Sequence, residues 1–272
     1  MIIREKITLE IQNAICSCYD RLKRFFEEDN TYSYGYNPYI DMEKYLWTKF
    51  LNQREGNFYK GGIYHHIVAT QFIEDKNNPW YRKLDLIELT IKYLYELDTN
   101  YNRSISIFYL FVDLLNSEFK RLNFAYRIVN TEIVEITSDE EIVAVESSMQ
   151  NSPQNIRTHL KKALELYAQR PNGDYQNSIK ESISAVEAYC RKITKEKTLG
   201  EALNKINGEG LIIPQILKVA FEKLYAYTNH PDTGIRHALM DKTGSYTPAS
   251  EEAWFMLVSC SSFINYLNKK LK

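Results

Sequence analysis

Apolar residues recur at three- and four-residue intervals along almost the whole of this chain, and the pattern changes period once, between Ala125 and Ile136. Such a repeat gives each helix one apolar stripe, and a stripe is stable only when buried against another element. The chain must therefore fold as packed helices. Leu9 to Phe26 is the first, with Ile11, Ile15, Tyr19 and Leu22 on one face. Met42 to Leu51, Tyr64 to Glu74, a stretch opening at Trp80 with Leu84, Ile87, Ile91 and Leu94, and Ile105 to Leu122 follow. A Tyr/Asn/Gly/Pro-rich stretch near Asp29 to Pro38 and a run from Gly56 to Gly62 read as loops.

Where the period changes, Ala125-Tyr-Arg-Ile-Val and Glu132-Ile-Val-Glu-Ile136 flank Asn130-Thr131, which predicts a short β-hairpin. Thr137-Ser-Asp-Glu140 has the pattern of a capping box opening a helix through Ile142, Val145 and Met149. The polar run Gln150 to Asn155 reads as a boundary, dividing the chain into domains at 1–150 and 156–272. At 272 residues each half is long enough to bury its own core.

The second half predicts five helices. Arg157 to Ala168 is closed by Pro171-Asn-Gly173, and Asp174 caps a helix striped by Tyr175, Ile179, Ile183, Val186, Cys190 and Ile193. Thr198-Leu-Gly-Glu201 is a second capping box, for a helix ending near Gly208. Ile213, Leu217, Phe221 and Leu224 mark a fourth, with Pro214 in its first turn. The last opens at Ser250 and is striped by Ala253, Leu257, Cys260, Ile264, Leu267 and Leu271. The fold class is mainly α: two helical domains, the first with a small hairpin and the second a helical bundle.

A formal net charge of −1 argues against a protein that coats duplex DNA through bulk electrostatics. The longest apolar stretch, Ser104 to Leu115, is too short to span a bilayer, and the charged start Met1-Ile-Ile-Arg-Glu-Lys does not read as a signal peptide, so a cytoplasmic protein is expected. Cys16, Cys18, Cys190 and Cys260 lack a zinc-ligand spacing and read as buried or half-buried thiols. No glycine-rich phosphate loop and no His-Glu-x-x-His segment occurs, so neither metal nor cofactor is expected. The tyrosine cluster Tyr32, Tyr34 and Tyr36 reads as a packed surface loop, with an aromatic platform for bases or sugars as the other reading. His65-His66 lacks a third ligand, and His159 reads as a surface helix residue.

One polar constellation is concentrated: Asn229-His-Pro-Asp-Thr-Gly-Ile-Arg-His-Ala-Leu-Met-Asp241. Asp232 or Thr233 can cap a short helix starting near Gly234, which sets Arg236 and His237 near free backbone N–H groups that attract phosphate. Histidine can move a proton to or from a ribose hydroxyl, and arginine can brace a phosphate. Asn229 and Asp232 can orient a histidine. The plain alternative is a turn that caps, salt-bridges and packs.

From Arg157 to Lys272 the chain resembles the HEPN superfamily of defence and toxin proteins, through Ser178-Ile-Lys-Glu-Ser-Ile-Ser-Ala-Val-Glu-Ala-Tyr189, Thr198-Leu-Gly, Leu224-Tyr-Ala-Tyr227, Gly234-Ile-Arg-His-Ala238 and Glu252-Ala-Trp-Phe-Met-Leu-Val258. The first half resembles the N-terminal domain of AbiJ-type abortive-infection proteins, through Trp80-Tyr-Arg-Lys-Leu-Asp-Leu-Ile-Glu88, Phe124-Ala-Tyr-Arg-Ile-Val-Asn130 and Ile136-Thr-Ser-Asp-Glu-Glu-Ile142. The resemblance implies a homodimeric helical bundle acting on RNA as a metal-independent endoribonuclease, with a further protein of a defence system as a candidate partner. It implies an arginine paired with a histidine a few residues downstream, and a buried carboxylate on the long helix, here Glu187, for which a core salt bridge to Arg236 is the other reading. In this chain His237 follows Arg236 directly and His230 lies six residues upstream. Adjacent helical residues project about 100° apart. Three readings stay open: an altered site using Arg236 with His230 and His237, a binding module for RNA or protein or for dimerisation with a degenerate motif, and a structural turn.

Overall fold

Helices form where the apolar stripes run. The computed structural model describes residues 2–28, 37–59, 67–101, 106–136, 138–209, 211–230, 235 and 247–271. Its contacts divide the chain into two units, Met1–Glu135 and Ile136–Lys272. The fold is mainly α, with one two-stranded sheet among the described residues.

In the first unit α1 (Leu9–Glu28) buries Ile11, Ile15, Tyr19, Leu22 and Phe26 along one face. Helix α2 (Pro38–Tyr45) starts earlier than the apolar pattern implies. Asn37 accepts the Tyr39 N–H at 3.0 Å, and Pro38 is preorganised for a first helical position. A π-turn, Leu46–Phe50, prolongs it. α3 (Glu55–Phe58), α4 (Val68–Glu74), α5 (Trp80–Tyr101) and α6 (Ile107–Arg121) follow. The expected helix from Tyr64 is described only from α4 onward, and the cluster Tyr32, Tyr34 and Tyr36 and the pair His65-His66 lie outside the described residues.

Aromatic edge-to-face contacts fill this core, as between Tyr19 and Phe111 with ring centroids 5.1 Å apart. The Tyr19 hydroxyl would be costly to bury alone, and it lies 2.8 Å from Thr90 Oγ1.

The predicted hairpin forms as β1 (Tyr126–Val129) and β2 (Glu132–Glu135), antiparallel, with Ile128 opposite Ile133 and Val129 opposite Glu132. Asn130 makes the turn with φ 57°, a left-handed conformation that Asn tolerates. Pairs alternate along an antiparallel ladder, so Ile128 and Ile133 turn their backbone groups outward. Helix side chains meet both. Asn116 of α6 accepts the Ile128 N–H at 2.8 Å and donates to its C=O at 3.0 Å, while Glu88 of α5 accepts the Ile133 N–H at 3.0 Å. Upstream, Ile3 hydrogen-bonds Asn123 and Ala125, and Arg4 pairs with Glu135 at 2.8 Å.

The second unit contains α7 (Asp139–Gln150), α8 (Gln154–Tyr167), α9 (Tyr175–Thr194), α10 (Leu199–Lys205), α11 (Gln215–Asn229) and α12 (Ser250–Lys270). α9 packs on α8 and α12, and α7 packs on both of those. The capping box of α7 is formed by Ser138 and Glu141, one residue beyond the Thr137–Glu140 pattern. A tertiary contact accounts for the choice, because Glu141 Oε2 also accepts Trp254 Nε1–H of α12 at 2.9 Å. The caps at Asp174 and Thr198 form as the sequence predicts. Pro214 stands just before α11 rather than inside its first turn. In the stripes, Ile142, Tyr175, Ile193, Leu217 and Leu224 are half-buried and Leu271 is exposed beyond the end of α12. No described helix is long and apolar enough to cross a membrane.

Candidate functional site

Helix α11 delivers Asn229 and His230 of the predicted site. Its last residue, Asn229, is half-buried and donates Nδ2–H to the Tyr225 C=O at 3.3 Å, closing the final turn on itself. His230 follows with extended φ −69° and ψ 129°, its N–H bonded to the Tyr227 C=O at 3.2 Å and its side chain exposed. Thr228 is fully buried and bonds the Tyr225 C=O at 2.8 Å, so this turn is anchored on its inner side. Burial, with Glu252 of α12 beside it, pushes the Tyr227 hydroxyl pKa up.

Arg236, His237 and Asp232 lie outside the described residues, as does the short helix expected near Gly234. Their neighbour Ile235 is described, and it is buried. Glu187 is half-buried on α9, and its charge, after burial itself, helps push the Cys190 thiol up to about 12. His159, expected on the surface, is half-buried and bonds Glu181 across α8 and α9, Nδ1 to Oε2 at 2.7 Å.

This geometry constrains the chemistry. A helix C-terminus carries partial negative charge, so an anion near His230 must be met by side-chain donors rather than by α11 itself. His230 is exposed just beyond the last turn, and Asn229 is already occupied in holding that turn.

Two polar clusters of the first unit escaped the sequence pattern. Glu43 of α2 is fully buried, and its Oε2 accepts the Ala69 N–H of α4 at 3.0 Å. Burial pushes its pKa up to about 7, against the Tyr39 hydroxyl and the α4 amides, which favour the charged form. Glu88 and Glu132 flank Lys92, whose Nζ lies 2.9 and 3.0 Å from them. Burial, then the Glu88 charge, raises Glu132 to about 7. The Glu88/Lys92 spacing on one helix is a local signal. An inward-facing glutamate in the hairpin was the other, and nothing local marks Glu43.

The four cysteines are buried, and desolvation raises Cys16 to about 11 and Cys18, Cys190 and Cys260 to about 12, which leaves them as unreactive thiols. Among the described residues no group of three or more His, Cys, Asp or Glu could hold a metal ion.

Residues 1–151 match the family model described as AbiJ N-terminal domain 4. Neither a curated protein nor a solved structure matches the chain. The match bears out the likeness of the first half to an AbiJ-type domain. It extends through α7, which packs with the second unit. Because it covers more than half of the residues, this chain belongs to the AbiJ N-terminal domain 4 family.

Proposed function

We propose that this chain is an abortive-infection effector, cytoplasmic and homodimeric, whose second unit is a HEPN-type domain that cuts RNA without a metal. The carrying observation is the family match over residues 1–151, joined to a separately packed helical unit whose α11 ends on Asn229 and an exposed His230. Arg236 and His237 follow within seven residues. In the reaction a histidine takes the proton of a ribose 2′-hydroxyl, which attacks the adjacent phosphorus, and the leaving 5′-oxygen is protonated. Arg236 balances the charge that builds on the phosphate, and Glu187 steadies the site from α9. Each proton-transfer residue would contribute about 10²–10⁴-fold, and the arginine on the order of 10²–10³-fold.

The test combines full-length protein with tRNA and mRNA, with and without EDTA. Cleavage should resist EDTA and fall in Arg236→Ala, His237→Ala and His230→Ala, together with growth arrest on expression in cells. Intact RNA under both conditions, with Arg236→Ala no less toxic than the parent, sinks the nuclease.

A non-catalytic binding or dimerisation module is the second reading. It is favoured by apolar residues left exposed before and along α11: Ile212 at 75%, Ile216 at 86% and Val219 at 38%. Partner or RNA binding without cleavage, unchanged in His237→Ala, supports it instead.

A further inference from the structure

We propose that the corner where α9 passes into α10 is a docking surface for the RNA backbone, independent of base sequence. The proposal rests on the reading of this chain as one that acts on RNA, and it names where the polynucleotide is held. Between Arg191 and Lys205 stand five cations, Arg191, Lys192, Lys195, Lys197 and Lys205, against Glu196 and Glu201, in a chain of net charge −1. All five cations are exposed. Both carboxylates are engaged. Glu196 Oε1 lies 2.8 Å from Lys205 Nζ, and Glu201 Oε2 accepts the Thr198 hydroxyl at 2.8 Å and its N–H at 3.2 Å.

The end of a helix attracts cations, and this accounts for part of the cluster. Lys195 Nζ donates to the Lys192 C=O at 3.0 Å and Lys205 Nζ to the Thr194 C=O at 3.2 Å, which closes the last turn of α9. Lys195 itself takes the left-handed φ of 64°, reversing the chain, and Arg191 then donates to the Lys197 C=O at 3.1 Å. That bond sets Lys197 beside the last turn, which also carries Lys192. The Lys192 and Lys197 ammonium groups make no hydrogen bond or ion pair with the described residues. Two solvated lysines are thus fixed on one corner with the neighbouring carboxylates already taken.

The surroundings favour a polynucleotide over a lipid surface. A membrane-surface helix presents large apolar groups beside its cations. Here no large apolar residue between Arg191 and Lys205 is exposed, and Leu199 and Leu203 are buried. The stretch contains no aromatic residue on which a base could stack, so the contact is with phosphates and carries little sequence preference.

Fluorescence anisotropy of a labelled single-stranded RNA with the full chain tests this across a salt series, with thermal melting as the check on folding. Lys192→Glu with Lys197→Glu should weaken binding to RNAs of different sequence alike and make the salt slope of log K shallower by about 0.7 for each phosphate no longer neutralised. Lys192→Arg with Lys197→Arg should bind as the parent does. RNA bound equally by the folded charge-reversed variant overturns the corner and leaves the RNA reading standing. A parent chain that binds no RNA overturns both. Preference for phosphatidylserine vesicles over RNA, abolished in the same variant, assigns the surface to a membrane and overturns the proposal.

Discussion

Asn116 grips Ile128 through both of its backbone groups, so that a side-chain amide takes the place a third strand would fill. Asn116→Ala strips partners from an N–H and a C=O that are shielded from water. Each buried unsatisfied group costs about 1–3 kcal/mol, so the variant, which leaves two, should lose at least roughly 2 kcal/mol in urea unfolding. Exchange of the Ile128 amide should accelerate. Asn116→Asp keeps the acceptor but sets a carboxylate against the Ile128 C=O, and should do no better.

Glu43 predicts a stability that falls as pH rises toward neutrality. Burial lifts its pKa from 4.5 to about 7 in the folded chain, so between those values the native state holds a proton that the unfolded chain has released. Stability from this group is fully present below about 4.5 and is lost as pH climbs through about 7. Glu43→Gln, whose amide oxygen can still accept from Ala69, should flatten the profile by on the order of 3 kcal/mol. Glu132, also raised to about 7, keeps its own share of the slope. Denaturation midpoints that follow pH identically in both proteins would remove Glu43 as a source.

Lys92 bridges two carboxylates at the turn end of the hairpin. Its side chain is 39% exposed, which places Lys92→Met between the cost of a surface pair and a buried one, at about 1–2 kcal/mol. The residual repulsion between Glu88 and Glu132 should be relieved by adding Glu132→Gln. The double variant is expected to be more stable than Lys92→Met alone, and a double-mutant cycle measures the coupling.

Trp254→Phe keeps the ring that packs on Tyr167, 5.2 Å between centroids, but removes the donor to Glu141. A hydrogen bond to a charged group contributes about 1.5–3 kcal/mol, less here because the pair is only partly buried. The specific signature is faster amide exchange in the first turn of α7, whose capping carboxylate loses its anchor.

The helices and the hairpin were legible because their signals are local: stripes such as Ile11, Ile15, Tyr19 and Leu22, or Asn130 between two β-branched runs. What organises them was not. Glu43 caps α4 from 26 residues away and Glu88 reaches the hairpin across 45, separations at which no periodicity operates. The same reason moved the α7 capping box to Ser138, since Trp254 is 113 residues from Glu141. Of the site, the end of α11 at Asn229 and His230 followed from the polar turn after its stripe. The exposed apolar row at Ile212, Ile216 and Val219 could not be anticipated, because a stripe in sequence does not say which flank of the helix faces the core.

The hairpin in the first unit also limits how this protein can meet others. A two-stranded ribbon ordinarily offers two open rims, and an extended peptide or a second copy can add itself there by main-chain bonding alone. At Ile128 and Ile133 those rims are already closed from within by Asn116 and Glu88. A partner reaching this ribbon finds both backbone groups of Ile128 and the Ile133 N–H already taken, so main-chain pairing there is curtailed and recognition leans on surface shape and charge, which also guards the ribbon against growth into a longer sheet.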